Sequence, residues 1–280
     1  MENQSALLGK RIALLEARMG SELAKLVGRH GGAPIQAPAL REISLDAAPE
    51  VSELIDKLQS ESIHYVIFQT GVGVAGLLAE AEKSQRKDEL LTLLGKVTTI
   101  ARGPKPMAVL SRNGIKPTFT VPEPHTTTEL IALVKGLELA NKNVAVLHYG
   151  ERNQALADAL QARGARLYEL CLYEWHLPED VTPLENLLDE LSAGQVDAIA
   201  FTSQVQARHL FQIAEQRGRG GELRSALNQK TVVASIGPIC SESLRALGVP
   251  PRIEPEHPKM GFLILALQAH FACASEALNN

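Results

Sequence analysis

Two stretches of this chain share one grammar. Residues 231–267 read TVVASIGPICSESLRALGVPPRIEPEHPKMGFLILAL, and residues 97–134 read VTTIARGPKPMAVLSRNGIKPTFTVPEPHTTTELIALV. Each has an apolar strand ending in Gly-Pro, a short helix closed by glycine, an extended piece (PRIEP in the later copy) and a helix flagged by proline. A self-match of roughly 38 residues implies two copies of one architecture.

Other segments repeat as well. Residues 10–15 (KRIALL) read as an opening strand. Gly20-Ser21 starts a helix with Ser21 as its N-cap, Leu23, Leu26 and Val27 face the sheet, and Gly31-Gly32 ends it. An extended piece follows at 33–40. NVAVL at Asn143–Leu147, then ALADALQARG and ARLYELCLYEW, repeat this strand, helix and strand about 132 residues later. A third pair is 63–83 and 196–216, where buried strands pass through QTG or FTS into helices. Amphipathic helices at 50–60 and 183–193 precede them.

Apolar strands alternating with helices of this length imply parallel sheets covered on both faces, with right-handed crossovers. In chain order the units run A1, B1, C1, A2, B2, C2, with C the Gly-Pro unit. Either two tandem lobes form, or A1 joins B2 and C2 around an inserted B1, C1 and A2. Pattern alone leaves both open.

Composition narrows the function. The chain has 280 residues, enough for two domains, with 45% hydrophobic and 21% charged residues, as in ordinary soluble proteins. A net charge of −4 gives no basic field, which argues against nucleic acid as partner. No apolar run reaches the ~18 residues of a membrane span, and the start, MENQSALLGKR, lacks a signal-peptide pattern. Cys171, Cys240 and Cys273 are scattered and odd in number, which suits buried thiols in a reducing cytoplasm. His125, His148 and His209 have no metal-ligand spacing with any cysteine, and no metal site is expected.

Strand-to-helix turns are the candidate binding sites. The first helical N–H groups lack partners and carry the positive end of the dipole, and ligands of open parallel sheets lie beyond the strands' carboxyl ends. The turns are Thr70-Gly71, Gly103-Pro104-Lys105, Thr202-Ser203-Gln204 and Gly237-Pro238-Ile239. Small residues there also serve tight turning alone. Arg18, Arg102 and Lys105 beside the turns could pair with carboxylates, or could be solvated charges.

Gly71, Gly73 and Gly76 spell the dinucleotide fingerprint, but the acidic ribose partner of a second strand is missing, since RKDELLTLLGK has a helical pattern. The glycines read better as a tight turn with close helix–sheet packing. Thr126-x-x-Glu129 is a capping box, and Arg217 to Gly221 reads as a flexible basic loop.

Arg18 after the first strand, Phe201-Thr202-Ser203, Ile236-Gly237-Pro238 with its helix and Gly248-Val249, and LYEW around Tyr173 occur in an order and spacing that resemble the uroporphyrinogen-III synthase family over nearly the whole chain. The resemblance implies two doubly wound α/β domains with parallel sheets, the first discontinuous (1–39 and 177–280), the second inserted (40–176). Two linker strands, near 38–44 and 170–177, would join them. It implies a cofactor-free enzyme that closes hydroxymethylbilane with inversion of its last ring, acting as a cytoplasmic monomer. Tyr173 would then be the catalytic acid, and Arg18, Thr70, Gly71, Arg102, Gly103, Lys105, Thr202, Ser203, Gly237, Pro238 and Ile239 would bind the substrate's carboxylates. The chain departs from the family at the Gly-Pro turns, where Pro106 and Ile239-Cys240 leave no hydroxyl, and at Met260-Gly261. The backbone N–H groups of both turns are expected to remain. These departures keep open a tetrapyrrole-binding or regulatory protein that lost the reaction.

Overall fold

A computed structural model describes residues 7–278, with side chains to residue 273, so residues 1–6 of the N-terminal reading lie outside the described residues. The chain forms two compact units, unit 1 from 1–41 with 176–280 and unit 2 from 42–175.

Unit 1 opens with β1 (Arg11–Leu14), α1 (Gly20–Arg29) and β2 (Ala33–Gln36). The chain enters unit 2 through β3 (Arg41–Ser44) and continues as α2 (Ala48–Gln59), β4 (Tyr65–Phe68), α3 (Gly71–Lys83) and α4 (Lys87–Leu94). Next come β5 (Thr98–Ala101), α5 (Pro104–Arg112), β6 (Phe119–Thr120) and α6 (Thr127–Lys135). Unit 2 closes with β7 (Asn143–Leu147), α7 (Gln154–Gln161) and β8 (Arg166–Leu170), and β9 (Tyr173–His176) leads out. Unit 1 resumes with α8 (Thr182–Ser192), β10 (Ala198–Phe201), α9 (Gln204–Gln216), α10 (Gly220–Gln229), β11 (Val232–Ser235), α11 (Pro238–Ala246) and α12 (Met260–Leu278).

The sheets answer the question that pattern left open. Unit 1 has the order β11-β10-β1-β2 and unit 2 the order β6-β5-β4-β7-β8, while β3 and β9 form a two-stranded ribbon. Every pairing in the two larger sheets is parallel. A1 therefore shares a sheet with B2 and C2, and the discontinuous arrangement holds. Both sheets reverse their winding at one place, between β10 and β1 and between β4 and β7. Such switch points open a crevice at the strands' carboxyl ends.

Strand periodicity shows why both faces are covered. On β1, Ala13 faces the core of α8, α9, α10 and α11, while Ile12 and Leu14 face that of α1 and α12. On β4, Val66 and Phe68 join the core of α2, α3, α4 and α5, and Ile67 joins that of α6 and α7. Alternate side chains of a strand take opposite faces, so strands apolar throughout need helices on both.

Some local expectations change. PRIEP contributes only one bridge, Ala234 to Ile253, whereas its counterpart forms β6, pairing Ile100 with Phe119. ARLYELCLYEW breaks at Cys171-Leu172 into β8 and β9, because its second half leaves the sheet for the ribbon. The N-cap of α1 is Met19 without a side-chain bond, so Ser21 lies inside the helix. The stretch 217–221 is pinned, not loose. Arg217 pairs with Glu185 and Arg219 with Asp189 and Glu222, and α10 starts at Gly220. The three cysteines are free, but Cys171 is half-buried and Cys273 exposed, so only Cys240 is the expected buried thiol. Among the described residues no helix is long and apolar enough to cross a membrane.

Candidate functional site

In unit 2 the ends of β4, β5 and β7 bring several side chains to one corner. Thr70 caps α3, its Oγ1 accepting from the Gly73 N–H at 3.0 Å. The same oxygen lies 3.0 Å from the Tyr173 hydroxyl on β9. Tyr173 is 3% exposed. Burial raises its pKa to about 12, outweighing the bond to Thr70, so the phenol stays protonated at neutral pH. Its ring stands edge-on to Trp175, with centroids 5.8 Å apart, and the Tyr149 ring lies tilted against the same indole, also at 5.8 Å.

Arg102 follows β5 and donates its backbone N–H to the Phe68 carbonyl at 2.9 Å. Its guanidinium sits 4.9 Å above the Tyr149 ring. Burial lowers its pKa, opposed by Tyr149 and Tyr173, yet a guanidinium keeps its charge throughout the physiological range. The corner thus offers a neutral phenol beside a partly desolvated cation.

Glycines permit this crowding. A Cβ on Gly71 would come 3.0 Å from the Lys105 carbonyl oxygen, and one on Gly73 3.2 Å from Thr70 Oγ1. Two members of the dinucleotide-like triplet therefore serve close packing, and the acidic partner's place is the helix α4. Gly150 combines a φ of +74° with a Cβ position 2.7 Å from the Trp175 ring. Gly103 is extended, not left-handed, and faces the His125 ring.

The Gly103 corner has fewer donors than expected. Pro104 and Pro106 occupy the first turn of α5, and proline has no N–H, so Lys105 alone supplies an amide before Met107. The side chain of Lys105 is exposed. The expectation that both turns keep their amides therefore fails here and stands only at Gly237.

In unit 1 the equivalent corner has a carboxylate at its centre. Glu16, just past β1, accepts from the Arg18 and Met19 backbone N–H groups at 3.1 and 3.2 Å. Its other oxygen takes the Thr202 hydroxyl and the Gln206 amide. Thr202 is tied to Gln206 again through its own N–H at 2.8 Å. Ser203 caps α9, its Oγ accepting from Val205 at 3.2 Å. Gly237 is extended, and Pro238 opens α11 with the N–H groups of Ile239 and Cys240 in the first turn. Burial first, against a bond from Ser235, raises the Cys240 thiol to about 11, so it stays a buried thiol.

Thr70, Gly71, Arg102, Gly103, Lys105 and Tyr173 are thus near neighbours in unit 2. In unit 1 Arg18 and Thr202 meet through Glu16, while Ser203, Gly237, Pro238 and Ile239 sit at the ends of β10 and β11. Glu16, Gln206, Tyr149, Trp175 and a buried set around His148 escaped sequence reasoning. The repeat held a signal for two of them: aligned on RIALL and NVAVL, Glu16 and His148 are the same position. Among the described residues no three His, Cys, Asp or Glu side chains cluster as a metal site would need.

Residues 21–264 match the model of the family described as uroporphyrinogen-III synthase HemD. The chain is 32% identical over 265 residues to the uncharacterized protein YjjA of Bacillus subtilis, covering 95% of this chain and 97% of that one. A mutant uroporphyrinogen III synthase from Thermus thermophilus superposes with a TM-score of 0.76 at 26% identity, covering 96% of this chain and 100% of that one. Another Thermus thermophilus uroporphyrinogen III synthase structure gives 0.57 at 27% identity, covering 93% and 98%.

Proposed function

Because this chain belongs to the uroporphyrinogen-III synthase family, we propose that it catalyses cofactor-free closure of hydroxymethylbilane to uroporphyrinogen III, losing water and inverting ring D. On this reading it is a cytoplasmic lyase of tetrapyrrole biosynthesis, acting as a monomer on a small-molecule substrate. The observation that carries the reading is the buried, neutral Tyr173 hydroxyl held by Thr70 at the head of α3.

The hydrogen bonds give that hydroxyl a direction. Gly73 N–H donates to Thr70 Oγ1, and Thr70 can donate its own proton to the Tyr173 oxygen, which frees the phenol proton for a ligand. Aimed at the departing hydroxyl of the substrate, it stabilises the oxygen that leaves as water when the C–O bond breaks. The remaining electrophilic carbon is attacked by the substituted carbon of ring D, whose bond to its old methylene then breaks and re-forms at that ring's free α-carbon, so that ring D ends inverted and only water is lost. Unaided closure gives the uninverted isomer, so much of the task is orientation. Within unit 2, Arg102 and the first-turn amides of α3 are suited to hold carboxylates of the substrate.

A coupled assay that separates type III from type I porphyrins tests this reading. Type III is expected to dominate, and only type I from folded protein would refute it. Pro106 and Ile239-Cys240, which leave the Gly-Pro turns without hydroxyls, favour a second reading, a tetrapyrrole-binding protein without turnover. Binding of the bilane with no type III product would select it.

A further inference from the structure

Behind the Tyr173 corner lies a closed polar circuit that the reaction as described does not use. His148, 3% exposed, follows β7 at the switch point of unit 2. Its Nδ1 faces two donors, the Asn153 backbone N–H at 3.1 Å and the Gln69 side-chain amide at 3.3 Å. Its Nε2 lies 2.8 Å from Glu169 Oε1 on β8. Two donors on one nitrogen require a lone pair there, so the proton sits on Nε2 and is donated to the carboxylate.

The partners close on one another. Asn153 Nδ2 donates to Gln69 Oε1 at 2.7 Å and to Thr127 Oγ1 at 3.0 Å, while its Oδ1 caps α7 through Leu156 N–H at 3.3 Å. Arg152 grips Glu169 with two bonds of 2.9 Å. Gln69 is 1% and Asn153 5% exposed, so no water need enter. Gln69 immediately precedes Thr70, the partner of Tyr173, and His148 immediately precedes Tyr149, which carries Arg102.

We propose that neutral His148 is the positioning residue of the Tyr173 corner, tying the ends of β4 and β7, strand β8 and the starts of α6 and α7 to one imidazole. It touches no substrate and acts through Thr70 and Tyr149. Loss of the ring's acceptor takes from the Asn153 N–H its acceptor and leaves the Gln69 amide only the Leu147 carbonyl at 3.3 Å, and the Thr70 cap loosens with them. The charged groups that face the ring are Glu169 from β8 and Arg152 from the loop before α7, while Gln69, Asn153 and Thr127 are neutral. Burial, outweighing Glu169, lowers the pKa of His148, in keeping with a neutral ring.

The kinetic arm of the test rests on the synthase reading, and two other arms do not. In His148→Phe, amide exchange at Gly73 and Leu156 is expected to speed by about tenfold, with Val205 in unit 1 unchanged as control. The kcat should fall about tenfold to a hundredfold with KM within about twofold. His148→Asn, which restores an acceptor, should recover most of both. Exchange and kcat unchanged in the phenylalanine variant, or an asparagine variant as impaired as it, would overturn the proposal. Nitrogen-15 spectra of the wild-type imidazoles decide independently if the phenylalanine variant does not fold: a proton on Nδ1 of His148 at neutral pH overturns it, and one on Nε2 upholds it. Wild-type protein with no synthase activity would sink the functional reading alone, since the exchange and tautomer results would still settle the role of His148.

Discussion

At the end of β1 the chain places Glu16, and at the matching end of β7 it places His148. In both sheets the turn after the strand across the switch point supplies a partner, Thr202 in unit 1, joined by Gln206 of α9, and Gln69 in unit 2. Glu16 accepts from the Arg18 and Met19 amides just before α1, so this corner already holds a carboxylate. Neutral His148 leaves its corner without a net negative charge, next to Arg102. The Gly-Pro corners differ as well. Arg102 and Ile236 occupy one place, each bonding back to a phenylalanine carbonyl, and only one brings a charge. In return, α11 keeps two first-turn amides where α5 keeps one. One strand order thus supports different chemistries, because the fold sets where strand ends lie and the side chains set what they do.

The comparison can be broken at several points. Gly150 and Arg18 are matched positions, yet Gly150→Ala should cost about 3 kcal/mol by urea denaturation, from backbone strain and overlap with Trp175. Arg18→Ala should cost about 0.5 kcal/mol or less, and equal losses would mean that the Trp175 contact does not shape the corner. Tyr173→Phe should lower kcat about a hundredfold, while Ser203→Ala in unit 1 lowers it less than about tenfold. A larger effect at Ser203 would move the chemistry to unit 1. Glu16→Gln should destabilise by about 1–2 kcal/mol, since the amide has one accepting oxygen where the carboxylate uses two, and its –NH2 would face a donor from Arg18 and Met19 or from Gln206.

Two buried titrating groups of unit 2, His148 and Tyr173, give opposite pH limits. The fold holds His148 neutral with its pKa below the usual 6.5, so its contribution is present above about pH 6.5 and fades as pH falls below that. The stability gap between wild type and His148→Asn should therefore narrow from pH 7.5 to pH 5. Tyr173 is held neutral with its pKa raised from 10.0 to about 12, so its contribution is full below pH 10 and is lost as pH rises through about 12. The smallest effect is expected at exposed Lys105, where alanine should raise KM by no more than about threefold.

Much of the scaffold was readable before any coordinates. The apolar runs at 11–14, 65–68, 143–147 and 198–201 become strands, and the capping box at Thr126 and Glu129 starts α6 with both bonds in place. PRIEP misled because strand composition is not enough when a segment meets its neighbour at a single residue pair. Ser21 misled because α1 starts earlier than the cap rule placed it, with Met19 as N-cap and Ser21 as the second helical residue. The polar residues at the site were the least legible. Gln69, His148 and Asn153 look like any polar residues near strand ends, and their burial depends on strands far away in the chain.

Local periodicity, turn chemistry and the internal repeat were properties of the sequence alone, because helices, strands and their caps are stabilised within a few residues. The sharing of a sheet by A1, B2 and C2, and the meeting of Thr70 with Tyr173 across 103 residues, were decided only in three dimensions. Closing a long loop costs little more than closing a short one, so chain distance does not choose the partners. Burial of both sheet faces and the pairing of buried polar groups such as Gln69 and Asn153 do.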